Sequence, residues 1–170
     1  MTQSEQENHQ VSIYNRMMER VRHTLEAAEH KARPTLEHAI ALARERAVEL
    51  GETTREEAER IGNYLRRDMR EMADYLNETG KEYRTWFHMD LELIEARLLD
   101  LITSVADQTR LELAQWTEQA QLAEDYHSGQ VTAPGILGCI ACGEQLRLVK
   151  TSRVPPCPRC RSTEFRRVTA

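Results

Sequence analysis

Four cysteines, Cys139, Cys142, Cys157 and Cys160, are the residues of this sequence best suited to chemistry. They form two Cys-x-x-Cys pairs separated by fourteen residues. Two residues between thiols let the backbone turn tightly, so both sulfurs face one point. Two such turns, brought together by a hairpin, give tetrahedral S₄ coordination with Zn–S bonds of about 2.3 Å. Gly143 follows the first pair, where a residue free to take a positive φ eases the turn. Pro155, Pro156 and Pro158 stiffen the second pair. Arg161 stands where many such turns have glycine, which predicts a less regular second turn. A closed Cys₄ site leaves no position for water or substrate, so the expected cofactor is one structural Zn²⁺.

A tetrathiolate also suits iron. The Cys-x-x-Cys-Gly and Cys-Pro-x-Cys segments are similar to rubredoxin, which would imply an iron redox protein. The fourteen-residue gap is short for that fold, and few aromatic residues are available to shield iron. Zinc is therefore the favoured metal. No other constellation reads as a reaction centre. His127 adjoins Tyr126 and Gly129, where a helix end packing at a junction is the simpler reading. His23, His30 and His38 share no ligand spacing. Phosphate-binding loops and nucleophile elbows are absent. Acidic pairs such as Glu56-Glu57 read as solvated helix faces. We expect a non-enzymatic protein with no small-molecule substrate.

Charge divides the chain as the cysteines do. Residues 137–170 carry seven Arg or Lys and two acids, a net of +5. The whole chain is −5, which leaves −10 on the remainder. Arg159, Arg161, Arg166 and Arg167 cluster on the basic segment, with Phe165 as its one stacking aromatic. They are candidates for contact with nucleic-acid phosphates or with a partner. The competing reading is that they dock on acidic helices of the same chain or of a neighbour. The opening residues are polar, without a signal-peptide core. No apolar run approaches the roughly 18 residues that span a bilayer. Both features predict a cytoplasmic protein without membrane contact, in a compartment that keeps thiols reduced.

The elements that must position the cysteines are predominantly helical. Val11, Tyr14, Met18, Val21, Leu25 and Ala28 recur at helical spacing. Pro34 interrupts, as a kink or a first-turn proline. Leu36, Ile40, Ala43, Ala47 and Leu50 form a second stripe that Gly51 ends. Thr53-x-x-Glu56 and Thr54-x-x-Glu57 both fit a capping box for a third helix over 54–79. Its stripe is Ala58, Ile61, Leu65, Met69, Met72 and Leu76. Residues 82–125 predict one long helix or two collinear ones. The broad apolar face over 83–105 suits the centre of a bundle or an oligomer interface. After Tyr126, short β-prone segments at Val131-Thr132, Ile136-Leu137, Gln145–Val149 and Phe165–Val168 are punctuated by Gly and Pro. The predicted fold is mainly α: an elongated antiparallel bundle of coiled-coil type, followed by a small β zinc ribbon. The predicted divisions are a flexible N-terminus (1–10), a helical region (11–126) and the ribbon (127–170).

Several segments together resemble the YbeL-like family of bacterial zinc-ribbon-containing proteins of unknown function. They are Gly51-Glu52-Thr53-Thr54-Arg55-Glu56, Asp107-Gln108-Thr109-Arg110-Leu111-Glu112 and Tyr126-His127-Ser128-Gly129-Gln130-Val131. Cys157-Pro158-Arg159-Cys160 and the first cysteine pair complete the set. Arg161 departs from the expected glycine. The resemblance implies a helical region plus a zinc ribbon and supplies no activity. The residues themselves favour action through a protein partner or self-association, with nucleic-acid binding as the alternative.

Overall fold

The apolar stripes become packed helices in the computed structural model. They are α1 (Gln3–Ala27), α2 (Leu36–Glu49), α3 (Arg55–Thr79) and α4 (Ala96–Gln108). The structure describes residues 2–27, 34–79, 96–112 and 125–168. The expectations for Ala28 and for residues 80–95 and 113–124, which take in most of the broad apolar face, lie outside them. Tyr14, Met18, Val21 and Leu25 bury the face of α1. Leu36, Ile40, Ala43 and Ala47 bury that of α2, and Ile61, Leu65, Met69 and Met72 that of α3. Helix α1 packs on all three others, and α2 packs on α3. The α2–α3 pair is antiparallel: Arg66 pairs with Glu37 at one end, and Val48 and Ala58 line one cleft at the other. Along the α1–α4 contact the two helices run the same way, with Glu19 on Arg97, Arg22 on Asp100 and Glu26 on Ser104.

Local chemistry explains where these helices begin and end. Helix α1 takes in residues 3–10. Thr2 and Glu5 form a capping box: the Thr2 N–H donates to the Glu5 carboxylate at 2.7 Å, and the Glu5 N–H donates to Thr2 Oγ1 at 3.4 Å. Pro34 lies just ahead of the cap, and Thr35 accepts the His38 N–H at 3.1 Å. The Glu112 carboxylate takes another orphan N–H of α2, that of Leu36, at 2.6 Å. Gly51 (φ 68) closes α2 in a Schellman motif, with Glu52 N–H on Ala47 O and Gly51 N–H on Val48 O. Leu50 is the C-cap and is 50% exposed, so it leaves the stripe predicted for it. Of the two candidate caps for α3, Thr54 accepts the Glu57 N–H, while the Thr53 hydroxyl bonds the Glu57 carboxylate.

The ribbon contains β1 (Tyr126–His127), β2 (Val131–Thr132), β3 (Gly135–Cys139), β4 (Gln145–Leu148), β5 (Ser152–Arg153) and β6 (Glu164–Arg167). A four-stranded sheet has the order β1-β6-β3-β4, and β2 pairs with β5; all pairings are antiparallel. Strands β1 and β5 are two residues each and, unlike the equally short β2 with its Val131-Thr132, fall outside the β-prone segments of the sequence. Tyr126 belongs to the sheet, so the ribbon begins before residue 127. Gly129 (φ 94) serves the turn from β1 to β2 and does not end a helix. Backbone contact between ribbon and bundle is made chiefly by β2 and β5, and Val131 and Ala133 are buried within the helical core.

Candidate metal centre

Two nearly identical turns carry the four thiols. In the first, Cys139 N–H donates to Glu144 O at 2.8 Å, and Gly143 N–H donates to Cys139 O at 2.9 Å. In the second, Cys157 N–H donates to Ser162 O and Arg161 N–H to Cys157 O, both at 2.9 Å. The residue after each pair is left-handed: Gly143 at φ 75 and Arg161 at φ 65. The second turn is thus as regular as the first, contrary to expectation. Arg161 adopts the glycine conformation despite its Cβ, at a cost of about 1–2 kcal/mol.

Register brings the turns together. Strand β3 ends at Cys139, which lies across from Phe165 of β6, three residues after Ser162. All four sulfurs lie within 4.8 Å of one another. Cys139 Sγ is 3.6 Å from Cys160 Sγ, and Cys142 Sγ is 3.7 Å from Cys157 Sγ. Bonds of 2.3 Å to a tetrahedral centre place sulfurs about 3.8 Å apart, so these two separations match the edges of such a tetrahedron. The thiols are free rather than disulfide-linked.

Electrostatics favour a cation at the same point. Burial raises the Cys139 thiol, but the N–H groups of Cys142 and Ala141 and the thiols of Cys160 and Cys142 outweigh it, holding Cys139 down at about 7. The Glu144 N–H draws Cys142 down, yet burial and the three other thiols push it up to about 12. Cys160 is also raised: the Ser162 N–H and Cys142 favour its thiolate, and burial, Cys139 and Cys157 oppose it more strongly. One negative charge is welcome in this nest and further ones are resisted, unless a divalent ion neutralises them.

A family model described as a zinc-ribbon containing domain matches residues 23–169, most of the chain. The chain belongs to this zinc-ribbon family. Comparison with curated proteins and with solved structures gives no match. The family description and the sulfur geometry agree on a Cys₄ metal site formed by the turn between β3 and β4 and the turn that precedes β6.

Around the family's ribbon, the four candidate arginines have unlike fates. Arg159 and Arg161 are exposed beside the metal turns. Arg166 is exposed and bonds Asp125 at 3.0 Å. Arg167 is buried, and this removes it from any nucleic-acid or partner surface. Strand β6 alternates, so Phe165 and Arg167 face inward while Glu164 and Arg166 face out. Phe165 is fully buried, so it offers no stacking face either.

Arg167 enters a buried polar hub that the motif reading did not single out. Its Nε donates to Glu71 and to the Tyr126 hydroxyl, each at 3.1 Å, and its Nη1 donates to Pro134 O at 3.0 Å. Its Nη2 donates to Thr132 Oγ1 at 2.8 Å. Asp68 accepts from Tyr14 OH at 2.6 Å, Ala133 N–H at 2.8 Å and Arg67 Nη2 at 3.1 Å. Arg67 in turn donates to Gln130 and to Val131 O. Burial pushes Glu71 up to about 7 against the pull of Arg167. Tyr126 is held well above the usual phenol range, by burial first, with Asp68 and Glu71 adding to it against the pull of Arg167. Gly135 (φ 154) makes room for this hub, because a Cβ there would lie 1.8 Å from Arg167 Nη1. The sequence signal was present: Asp68 sits three residues after Leu65, on the apolar face of α3, where a carboxylate needs buried partners.

Proposed function

We propose that this protein is a non-enzymatic zinc-binding interaction module that acts through protein contacts at the tip of its ribbon. The carrying observation is the composition of that tip. Ile140 is 46% exposed, and Ala141, Pro156, Pro158, Arg159 and Arg161 are exposed around the metal turns. Apolar and arginine side chains together suit a protein interface with an acidic rim. The four protein sulfurs fill a tetrahedral shell, so the metal would fold the tip and leave no open coordination position. Zinc is the ion this reading assigns, and a cytosolic location, where thiols stay reduced, belongs to it. No helix among the described residues is long and apolar enough to cross a membrane. The finer resemblance to the YbeL-like proteins also belongs to this reading.

Nucleic-acid binding is the second reading, favoured by the exposed Arg159, Arg161 and Arg166. It is weaker because Arg167 and Phe165 are withdrawn from the surface.

The test begins with the purified protein. Metal analysis should give one zinc per chain and a colourless protein; a red protein with thiolate-to-iron absorption would replace zinc by iron. Crosslinking in cells should capture a specific protein that is lost with Ile140→Asp plus Arg159→Glu at unchanged zinc content. Capture unaffected by both substitutions would defeat the tip assignment. Strongly salt-dependent binding to an oligonucleotide, abolished by the same substitutions, would move the tip to the nucleic-acid reading.

A further inference from the structure

Tyr126 touches both halves of the protein. Its ring packs in the ribbon core with Leu137, Val154 and Phe165 and with two of the metal ligands, Cys139 and Cys157. Its hydroxyl donates to Glu71 at 2.6 Å and lies 3.1 Å from Asp68, both on α3. The guanidinium of Arg67 stands 3.9 Å from the ring centroid and that of Arg167 stands 5.2 Å from it. One side chain therefore spans from the metal centre to a pair of buried carboxylates in the helical bundle.

Those carboxylates depend on the ribbon for most of the partners described above. Arg67 and Tyr14 belong to the helices. Arg167, Tyr126, Thr132 and the Ala133 N–H come from the ribbon. A ribbon that lets go takes from Asp68 and Glu71 the bonds of Arg167, Tyr126, Thr132 and the Ala133 N–H. Release exchanges these buried, charge-assisted bonds for water, so the docked ribbon is favoured only while it presents all of its donors together. A ribbon without its metal also lacks a core able to hold β3 and β6 in register, because two of the six buried residues of that core are themselves ligands.

We propose that metal binding at the Cys₄ site and docking of the ribbon on α3 are one linked equilibrium. Tyr126 and the Asp68–Glu71 pair form the latch. With metal, the ribbon presents Arg167, Thr132 and Ala133 in the register that Asp68 and Glu71 require. Without it, the ribbon releases and uncovers Tyr14, Asp68 and Glu71 together with the apolar seat of Val131 and Ala133. This inference rests on the Cys₄ site being metal-loaded, and it is independent of which partner the tip contacts.

Linkage is reciprocal, so a change on α3 must alter metal affinity although no ligand lies there. An independently folded ribbon on a passive helical stem would show no such effect. The test measures Zn²⁺ affinity of the full chain by competition with a chromophoric chelator. Wild type is compared with Asp68→Asn, Tyr126→Phe and Arg60→Ala, the last an exposed position on the same helix. We expect Asp68→Asn and Tyr126→Phe to weaken zinc binding by about fivefold or more, and Arg60→Ala to leave it unchanged. Amide exchange in 64–72 and 130–134 should rise on chelation of wild type, and also in zinc-loaded Asp68→Asn. Equal affinities in all four proteins would overturn the latch. If Asp68→Asn loses helical circular dichroism, Tyr126→Phe, which removes one oxygen, decides alone. A wild type that binds no zinc fails at the earlier step, the metal reading itself.

Discussion

The helical region and the ribbon are stabilised by different physics. In the helices, long stripes of Leu, Ile, Met and Ala bury one another, and Tyr14 is fully enclosed among them. Each such side chain contributes about 1.5–3 kcal/mol when removed from water. The ribbon core is small: Tyr126, Leu137, Cys139, Val154, Cys157 and Phe165 are buried, with Cys142, Leu146 and Leu148 half-buried against them. A module that small cannot offset its chain entropy with apolar burial, and it relies on metal coordination and on a polar interface with α3. Graded, distributed interactions hold one region. A few concentrated ones hold the other, so single changes should act very unequally on the two.

Chelation tests this contrast most severely. Removing the metal should abolish amide protection across 135–167 while most helical circular dichroism persists, because structural zinc supplies about 10–16 kcal/mol in small modules. Simultaneous collapse of the helices would show that the two regions are one cooperative unit. Gly135→Ala is expected to be next in size. Its new methyl would displace the Arg167 guanidinium, which is fixed by several buried bonds and cannot swing aside. Stranding Asp68 and Glu71 should cost roughly 3–5 kcal/mol, read from chemical denaturation.

Glu71 carries a pH signature. Its native value of about 7 lies above the 4.5 of an unperturbed glutamate, so the folded state holds a proton that the unfolded state gives up. Stability from this group is therefore greatest below 4.5, falls as pH rises to about 7, and is level above that. The total change is on the order of 3 kcal/mol. In Glu71→Gln this component should vanish, so the stability difference between variant and wild type should change across pH 5–7. A constant difference would remove the assignment. The smallest effect is expected at Arg161→Gly, which relieves the left-handed strain of φ 65 and should stabilise the zinc-loaded ribbon by about 1 kcal/mol. The reciprocal change, Gly143→Ala, should destabilise the first turn by a similar amount in the same thermal melt.

Much of the metal centre was legible in the chain itself. Cysteine spacing identified all four thiols that the fold brings together, because the geometry of a Cys-x-x-Cys turn is local. Helical stripes and caps were legible for the same reason: the Thr35 cap and the Gly51 stop act within one turn of their own helices. Short strands were harder. Two-residue β1 and β5 exist only because β6 and β2 lie beside them, and no pattern within their own residues announces this.

What the sequence alone determined is therefore the list of ligands, the order of helices before ribbon, and the division of charge between them. Tertiary structure decided where the arginines point. Arg166 and Arg167 are adjacent and chemically identical, yet one faces solvent beside Asp125 and the other is sealed against Glu71. Strand alternation separates them by one residue, but which face is buried depends on a helix about 100 residues earlier in the chain. Asp68 gained its role in the same way: its partners converge from α1, β2 and β6, and no local pattern encodes that meeting.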